Sequence, residues 1–161
     1  MPREISTDFA LLAPWMTVQL GRPVERGTLI GTLSDGVPTA VIWYETIFGS
    51  TVVAHMAVAA ASRFLPREFL WYIFYYPFRQ LHASRILAPI SPSNPAAQRI
   101  VIHLGFTLEA TLSPSQESPT IYFSMVEAQC RWLSLKEPQH GRRSKSSHGY
   151  NLRAGKSPES A

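Results

Sequence analysis

Two tight turns divide residues 27–58 into three strand-like runs, and this arrangement restricts the possible fold more than any other part of the sequence. The first turn contains Asp35-Gly36, a dipeptide typical of two-residue β-hairpins. The second turn falls at Gly49-Ser50. The pattern therefore predicts three consecutive antiparallel strands, at about 27–33, 38–47 and 51–58.

Helical patterns precede and follow this meander. Asp8 or Thr7 can cap a first helix that ends at Gly21, with Pro14 either kinking the helix or marking its start. A second helix is predicted over Leu65–Leu81, which is apolar on nearly every side. Such a helix is either buried or offers a face to a partner.

The second half of the chain alternates strands and helices. A short strand is predicted at 85–89, followed by a helix that Asn94 caps and Gly105 ends. Two strands at 106–112 and 120–126 flank a Ser- and Pro-rich loop, and a short helix at 127–135 closes the pattern. The sum predicts an α/β (α+β mixed) fold: one mixed sheet with an antiparallel meander, flanked by helices, in a single domain.

Charge is distributed unevenly between the two ends of the 161-residue chain. Residues 1–135 carry nine Arg, no Lys and nine acidic residues, whereas residues 136–161 carry six basic and two acidic ones. We therefore expect a domain at 1–135, which is not a basic nucleic-acid-binding module, and a basic tail at 136–161. The tail should be disordered in isolation and suits an acidic partner.

Several classes of protein are excluded by simple features. The single cysteine, Cys130, cannot form an internal disulfide, and we expect it to be a small buried hydrophobe. No apolar run approaches the roughly 18 residues that a membrane span needs. The N-terminus lacks the pattern of a signal peptide, so a cytoplasmic protein, or one in a particle assembled in a cytoplasm, is expected. The five histidines and the cysteine show no metal-ligand spacing, so no metal site is expected.

The segment around the third predicted helix resembles a known family. Asn94, Ala97, Leu104-Gly105-Phe106 and Glu109 match the C-terminal half of the GNAT N-acetyltransferase superfamily, and the resemblance extends over about 27–126. It is nearest to a divergent group met in phages and bacteria, matched here by Tyr76-Pro77-Phe78, Gln80-Leu81 and Cys130-Arg131-Trp132-Leu133.

This resemblance implies transfer of an acetyl group from acetyl-CoA to a small-molecule or protein amine. The alternative is a catalytically inactive interaction or structural protein with the same fold, for example a component of a phage particle. Acetyl-CoA binding would separate the two interpretations.

The resemblance also implies cofactor contacts. Arg63 and Arg67 would bind the pyrophosphate of acetyl-CoA, and Asn94 would lie near its pantetheine arm. Two features depart from the family pattern: Pro66 lacks an N–H donor, and Glu68 places a negative charge near the expected phosphates. These side chains could instead form an ordinary charged first turn of a helix.

His55 is the candidate general base, because it falls in the strand where the family often carries that group and a neutral imidazole suits the task near pH 7. The alternative is a structural strand histidine. The family's general-acid tyrosine is replaced by Val101, which has no proton to give. Other tyrosines could serve from elsewhere in the chain: Tyr72, Tyr75, Tyr76 or Tyr122.

Residues 69–78 contain seven aromatics in ten positions. Since one helix face cannot hide them all, the segment 65–81 predicts an interface with a second copy or a protein partner. We expect Leu70, Phe74, Phe78 and Leu81 to face the core, and Tyr72 and Tyr76 to be the most exposed aromatics. If the aromatics are all buried within the chain, the prediction fails.

Overall fold

Seven strands form one sheet among the residues that the structure describes. The structure is a computed structural model, and it describes residues 3–60, 62, 64–112 and 120–138, apart from the side chains of residues 46 and 47. The strands lie in the order β1-β2-β3-β4-β5-β7-β6 and all neighbours are antiparallel except β4 and β5. Their bounds are β1 Arg3–Ser6, β2 Thr28–Ser34, β3 Val37–Phe48, β4 Thr51–Val58, β5 Arg85–Ile90, β6 Thr107–Leu112 and β7 Thr120–Val126.

Helices cover both faces of the sheet. α1 (Phe9–Leu20) packs Leu12 and Met16 on one face, in a cluster with Val41 and Trp43. α2 (Arg67–Tyr75) and α3 (Pro95–Leu104) lie on the opposite face, where they share a larger core cluster. A π-helical turn (Tyr76–Gln80) follows α2, and two 3-10 helices (Glu127–Gln129 and Arg131–Ser134) follow β7.

The predicted fold class is confirmed, and most elements lie within two residues of their expected bounds. Asp8 caps α1 by accepting a hydrogen bond from the Ala10 N–H, and Pro14 lies inside that helix rather than at its start. β1 was not expected, because Arg3–Ser6 is a short, half-polar run that pairs only with β2. The short helix expected at 127–135 is instead two 3-10 helices, separated at Cys130.

The single long helix predicted over Leu65–Leu81 is wrong in detail. Leu65 precedes a proline and is kept out of the helical region, so α2 begins only after Pro66. Pro77 has no N–H to donate to the Ile73 carbonyl. The buried Tyr44 hydroxyl donates to that carbonyl instead, and the chain continues as a π-helical turn.

The aromatic segment is more buried than predicted. Leu70, Phe74 and Phe78 lie in the core as expected. Tyr76 does not lie at the surface: only 5% of it is exposed, and its hydroxyl forms a 2.8 Å hydrogen bond with Thr28 Oγ1. Tyr76 still continues α2, since its N–H donates to the Tyr72 carbonyl, and its ring packs 5.4 Å from that of the buried Tyr44.

Five of the seven aromatics are therefore buried, and only Tyr72 and Tyr75 remain half-exposed. Trp71 stacks against the Tyr75 ring at 4.3 Å between ring centres. The predicted interface through residues 65–81 rested on aromatics that the chain could not bury itself, and most of them are buried. The interface stays a prediction.

Other predictions fall partly outside the described residues. The described residues do not include Arg63, the loop at 113–119 or the tail from residue 139 onward. Cys130 is buried, as expected. No helix in the described part of the chain is both long and apolar enough to cross a membrane.

Candidate active site

The central feature of the sheet is a gap between its two parallel strands. β4 and β5 pair only at their beginnings, over Thr51–Val53 and Arg85–Leu87. Beyond that point β4 continues as Ala54–Val58 and β5 as Ala88–Ile90 without pairing to each other. A cavity of about 360 Å³ occupies the gap.

This cavity connects the two faces of the sheet. Its wall includes Gln19 and Leu20 at the end of α1, on one face, and Phe74 of α2 with Ala97 of α3, on the other. Two reactants can therefore approach the same point from opposite sides. The volume is within the range of small-molecule sites, about 300–1,000 Å³.

His55 lines the cavity from β4 and lies on the α1 face. It is the register partner of Trp43 on β3, and the two rings lie 5.3 Å apart between centres. Its Nε2 lies 2.7 Å from Glu45 Oε2 and 3.1 Å from Arg22 Nη2. The histidine side chain is only 15% exposed.

Glu45 and Arg22 form a two-point ion pair beside this histidine. Arg22 Nη1 and Nη2 donate to the two carboxylate oxygens, each at 3.0 Å. The guanidinium also lies over the Trp43 ring, 4.8 Å from its centre. Paired, planar contacts of this kind hold both side chains in one geometry.

A β-bulge delivers Glu45 to this position. Tyr44 pairs with Ala54 and Thr46 with Val53, so Glu45 is an extra residue on β3. A bulge bends its strand and redirects the extra side chain. The redirected carboxylate contacts His55 on β4, which directly follows Ala54, the register partner of Tyr44.

The environment sets the charge of each group. The guanidinium of Arg22 lowers the pKa of the Glu45 carboxyl from its ordinary 4.5 to about 2, and the hydrogen bond with His55 adds to this effect. Burial lowers the pKa of the His55 imidazole, and Glu45 only partly opposes that shift. At pH 7, therefore, Glu45 is ionised and His55 is neutral.

Asn94 and Val101 line the same cavity from α3. Asn94 caps that helix as predicted, because its Oδ1 accepts a hydrogen bond from the Ala97 N–H at 3.1 Å. Its side-chain amide group remains at the rim of the cavity. Val101 is buried at the position where the resemblance implies a tyrosine, and it offers no proton.

The tyrosines considered as substitutes do not line this cavity. The Tyr76 hydroxyl is engaged with Thr28 on the far side of the core. Tyr122 lies on β7 opposite Pro89 of β5. None of the four therefore takes the place of the missing acid among the described residues.

The N-terminus of α2 and a second cavity lie next to the first. Pro66 is the extended N-cap residue of α2, so one of the four free N–H groups at this helix end is missing, and no side chain caps the turn. The second cavity, about 490 Å³, shares Val58 and Ile100 with the first and is also lined by Arg99 and His103 of α3. Arg67 is exposed and lines neither cavity.

The structure places His55 and Asn94 on one cavity, where their predicted roles stay predictions. Sequence reasoning did not consider Glu45, Arg22 and Arg99. A pattern in the sequence could have indicated Glu45: a hairpin turning at Gly49-Ser50 brings residues 43–45 opposite residues near 55. The bulge that turns the carboxylate towards His55 leaves no comparable sign in the sequence.

No family model and no curated protein matches the sequence. Solved structures do match the fold. A variant of spermidine N-acetyltransferase SpeG from Vibrio cholerae superposes with a TM-score of 0.65 at 10% identity, over 82% of this chain and 96% of that one. An acetyltransferase of the GNAT family from Streptococcus pneumoniae gives 0.61 at 10% identity, over 78% and 99%.

An aminoglycoside acetyltransferase solved with coenzyme A and kanamycin gives a TM-score of 0.57 at 17% identity, covering 80% of this chain and 96% of that one. These proteins share the fold at identities too low to transfer an activity. The chain has the fold of the GNAT acetyltransferases.

Proposed function

We propose that the chain transfers the acetyl group of acetyl-CoA to an amine, with His55 as the general base. One observation carries the proposal: a carboxylate-bonded histidine lines a cavity that passes through the sheet where β4 and β5 separate. The neighbouring folds include an enzyme solved with coenzyme A, which supports the same cofactor here.

The separated strands offer a place for the pantetheine arm of acetyl-CoA. Over Ala54–Val58, the edge of β4 that faces β5 has no strand partner. An extended chain carrying amide groups can bond such an edge as an added strand would. Asn94 at the rim and Ala97 on the wall would border the arm.

The phosphates of the cofactor would lie near the start of α2 and the second cavity. The uncapped first turn of α2 presents N–H groups and a partial positive charge. Arg99 and His103 line the neighbouring cavity and could supply side-chain contacts. Arg63, which the sequence favours for this task, lies outside the described residues, and Arg67 points to neither cavity, so both stay predictions.

The reaction requires a deprotonated amine. The amine nitrogen attacks the thioester carbonyl carbon, the N–C bond forms, and the C–S bond breaks. His55 accepts the proton that the amine nitrogen loses. The thiolate leaves without a tyrosine acid at Val101, which is acceptable because thiols have a pKa of about 8.5 and their anions leave readily.

The proposal is tested by measuring CoA release with a panel of primary amines and acetyl-CoA. Wild-type protein should release CoA with at least one acceptor, and His55→Gln should reduce kcat by about 10²–10⁴-fold, the usual contribution of a general base. His82→Asn is the matched control, because His82 is exposed at the end of the π-helical turn, lines neither cavity and has a left-handed backbone that Asn tolerates.

Two results would overturn the proposal. One is wild-type protein that neither binds acetyl-CoA nor releases CoA, which favours the non-catalytic interaction protein. The other is a His55→Gln variant as active as the control.

A further inference from the structure

The arrangement around His55 specifies more than a base. Glu45 Oε2 lies 2.7 Å from Nε2, and no hydrogen bond to Nδ1 is found among the described residues. An ionised carboxylate can only accept a hydrogen bond. The nitrogen closest to it must therefore carry a proton.

The second neighbour of Nε2 does not change this assignment. Arg22 Nη2 lies 3.1 Å from Nε2, and a guanidinium can only donate. Nη2 carries two N–H groups, and one of them donates to Glu45 at 3.0 Å. The other could bond Nε2 only if Nε2 had no proton, which would leave two acceptors, Nε2 and Glu45 Oε2, 2.7 Å apart. The shorter contact, with the carboxylate, therefore decides which group Nε2 bonds.

We infer that Glu45, clamped by Arg22, is a positioning residue that holds the proton of neutral His55 on Nε2 and leaves Nδ1 as the basic nitrogen. The inference deepens the proposed function, because its catalytic consequence depends on His55 acting as the base. The assignment of the proton itself does not depend on any activity.

The ion pair also explains why the base is neutral in a charged setting. Among the described residues, the charged groups that face His55 are Glu45 from β3 and Arg22 from the segment between α1 and β2. These two charges act on the pKa of His55 in opposite directions, and burial, the largest cause, keeps that pKa below its ordinary value. Removing one charge leaves the other uncompensated. Removal of Arg22 and removal of Glu45 must therefore shift the pKa of His55 in opposite directions.

Long-range ¹H–¹⁵N NMR of histidine-labelled protein tests this directly. In wild-type protein at pH 7, His55 should be neutral with its proton on Nε2; a His55→Gln spectrum assigns the signal. Arg22→Gln should raise the pKa of His55, because a repelling cation is lost. Glu45→Gln should lower that pKa and weaken the preference for the Nε2 proton. Arg22→Lys, which keeps the charge, should shift the pKa less than Arg22→Gln.

Arg79→Gln and Glu127→Gln are matched controls, because they break an exposed ion pair of 3.0 Å remote from the cavity. They should leave the His55 signal unchanged. A wild-type proton on Nδ1 overturns the inference whether or not any variant folds well. So do pKa shifts of the same sign in both variants, which general loosening of the site would produce.

Activity separates the inference from the proposed function. If the enzyme turns over, Glu45→Gln should lower kcat by at least about tenfold with little change in KM. In the pH profile of kcat/KM, the acidic limb should move to higher pH in Arg22→Gln and to lower pH in Glu45→Gln. If no amine is acetylated but the NMR result holds, the proposed function fails while the assignment of Nε2–H and Nδ1 stands.

Discussion

A single hydroxyl compensates for a proline in the middle of the molecule. Pro77 cannot donate to the Ile73 carbonyl, and the buried Tyr44 hydroxyl does so across the core. Tyr44→Phe should therefore leave a buried carbonyl without a donor and reduce the free energy of unfolding by about 1–3 kcal/mol. Urea denaturation measures this.

Tyr122→Phe is the control, because it removes the same hydroxyl from a half-buried position on β7. Tyr122→Phe should reduce the free energy of unfolding by clearly less than Tyr44→Phe does. Equal losses in the two variants would show that the Tyr44 hydroxyl has no special role in supporting the helix.

At the residue scale, the position of His55 on a strand was predictable and its contact with Glu45 was not, for a physical reason. A histidine in a strand is visible in the sequence, and alternation assigns it a face. The contact with Glu45 depends on one extra residue in β3, which shifts the register between Tyr44 and Thr46. Nothing in the residues 44–46 requires that bulge, so only the folded hairpin reveals the pair.

At the scale of elements, the segment entering β2 must approach β3 unusually closely. A Cβ atom at Gly27 would lie 2.4 Å from the Tyr44 carbonyl oxygen and 2.7 Å from Trp43 Nε1, and the backbone there has φ of +103°. Gly27→Ala should therefore force β2 away from β3, at a cost above the roughly 1–2 kcal/mol of a left-handed backbone alone.

Gly21→Ala supplies the comparison. Gly21 also has a positive φ, of +67°, but nothing lies within 4 Å of its Cβ position. Thermal unfolding should show a larger loss for Gly27→Ala than for Gly21→Ala. If the two losses are the same, the close approach to β3 is not what requires glycine at 27.

Helices and strands were predicted well from the sequence where neighbouring residues alone determine them. The hairpin dipeptide Asp35-Gly36 and the Asn94 cap acted as predicted. The error at the C-terminal end of 65–81 came from a tertiary effect, because the consequence of Pro77 depends on a tyrosine 33 positions earlier. That contact cannot be read from helical periodicity.

At the scale of the whole molecule, stability should depend on pH through the site. Folding lowers the pKa of His55 below its ordinary 6.5, so the unfolded chain binds more protons as pH falls below 6.5. This contribution to stability is fully present above pH 6.5 and is lost as pH falls through the lower, folded value. Glu45 adds a second loss between about pH 4.5 and 2.

Urea unfolding at a series of pH values separates these two contributions. His55→Gln should flatten the dependence just below pH 6.5, and Glu45→Gln should flatten it below about 4.5. The slopes are the readout, since each substitution also changes stability at every pH. An unaltered slope below pH 6.5 in His55→Gln would contradict a buried, neutral histidine.

The central claim is that the cavity between β4 and β5 receives acetyl-CoA, and calorimetric titration of acetyl-CoA tests it most directly. Ala96 lines both cavities from the exposed side of α3, so Ala96→Trp should fill the entrance without disturbing the core. Ala128→Trp, at an exposed position lining neither cavity, is the control. The account predicts binding by wild-type protein and Ala128→Trp and at least about tenfold weaker binding by Ala96→Trp, a loss of 1.4 kcal/mol or more. Absence of binding by wild-type protein at millimolar acetyl-CoA, or equal affinity in all three proteins, would contradict it.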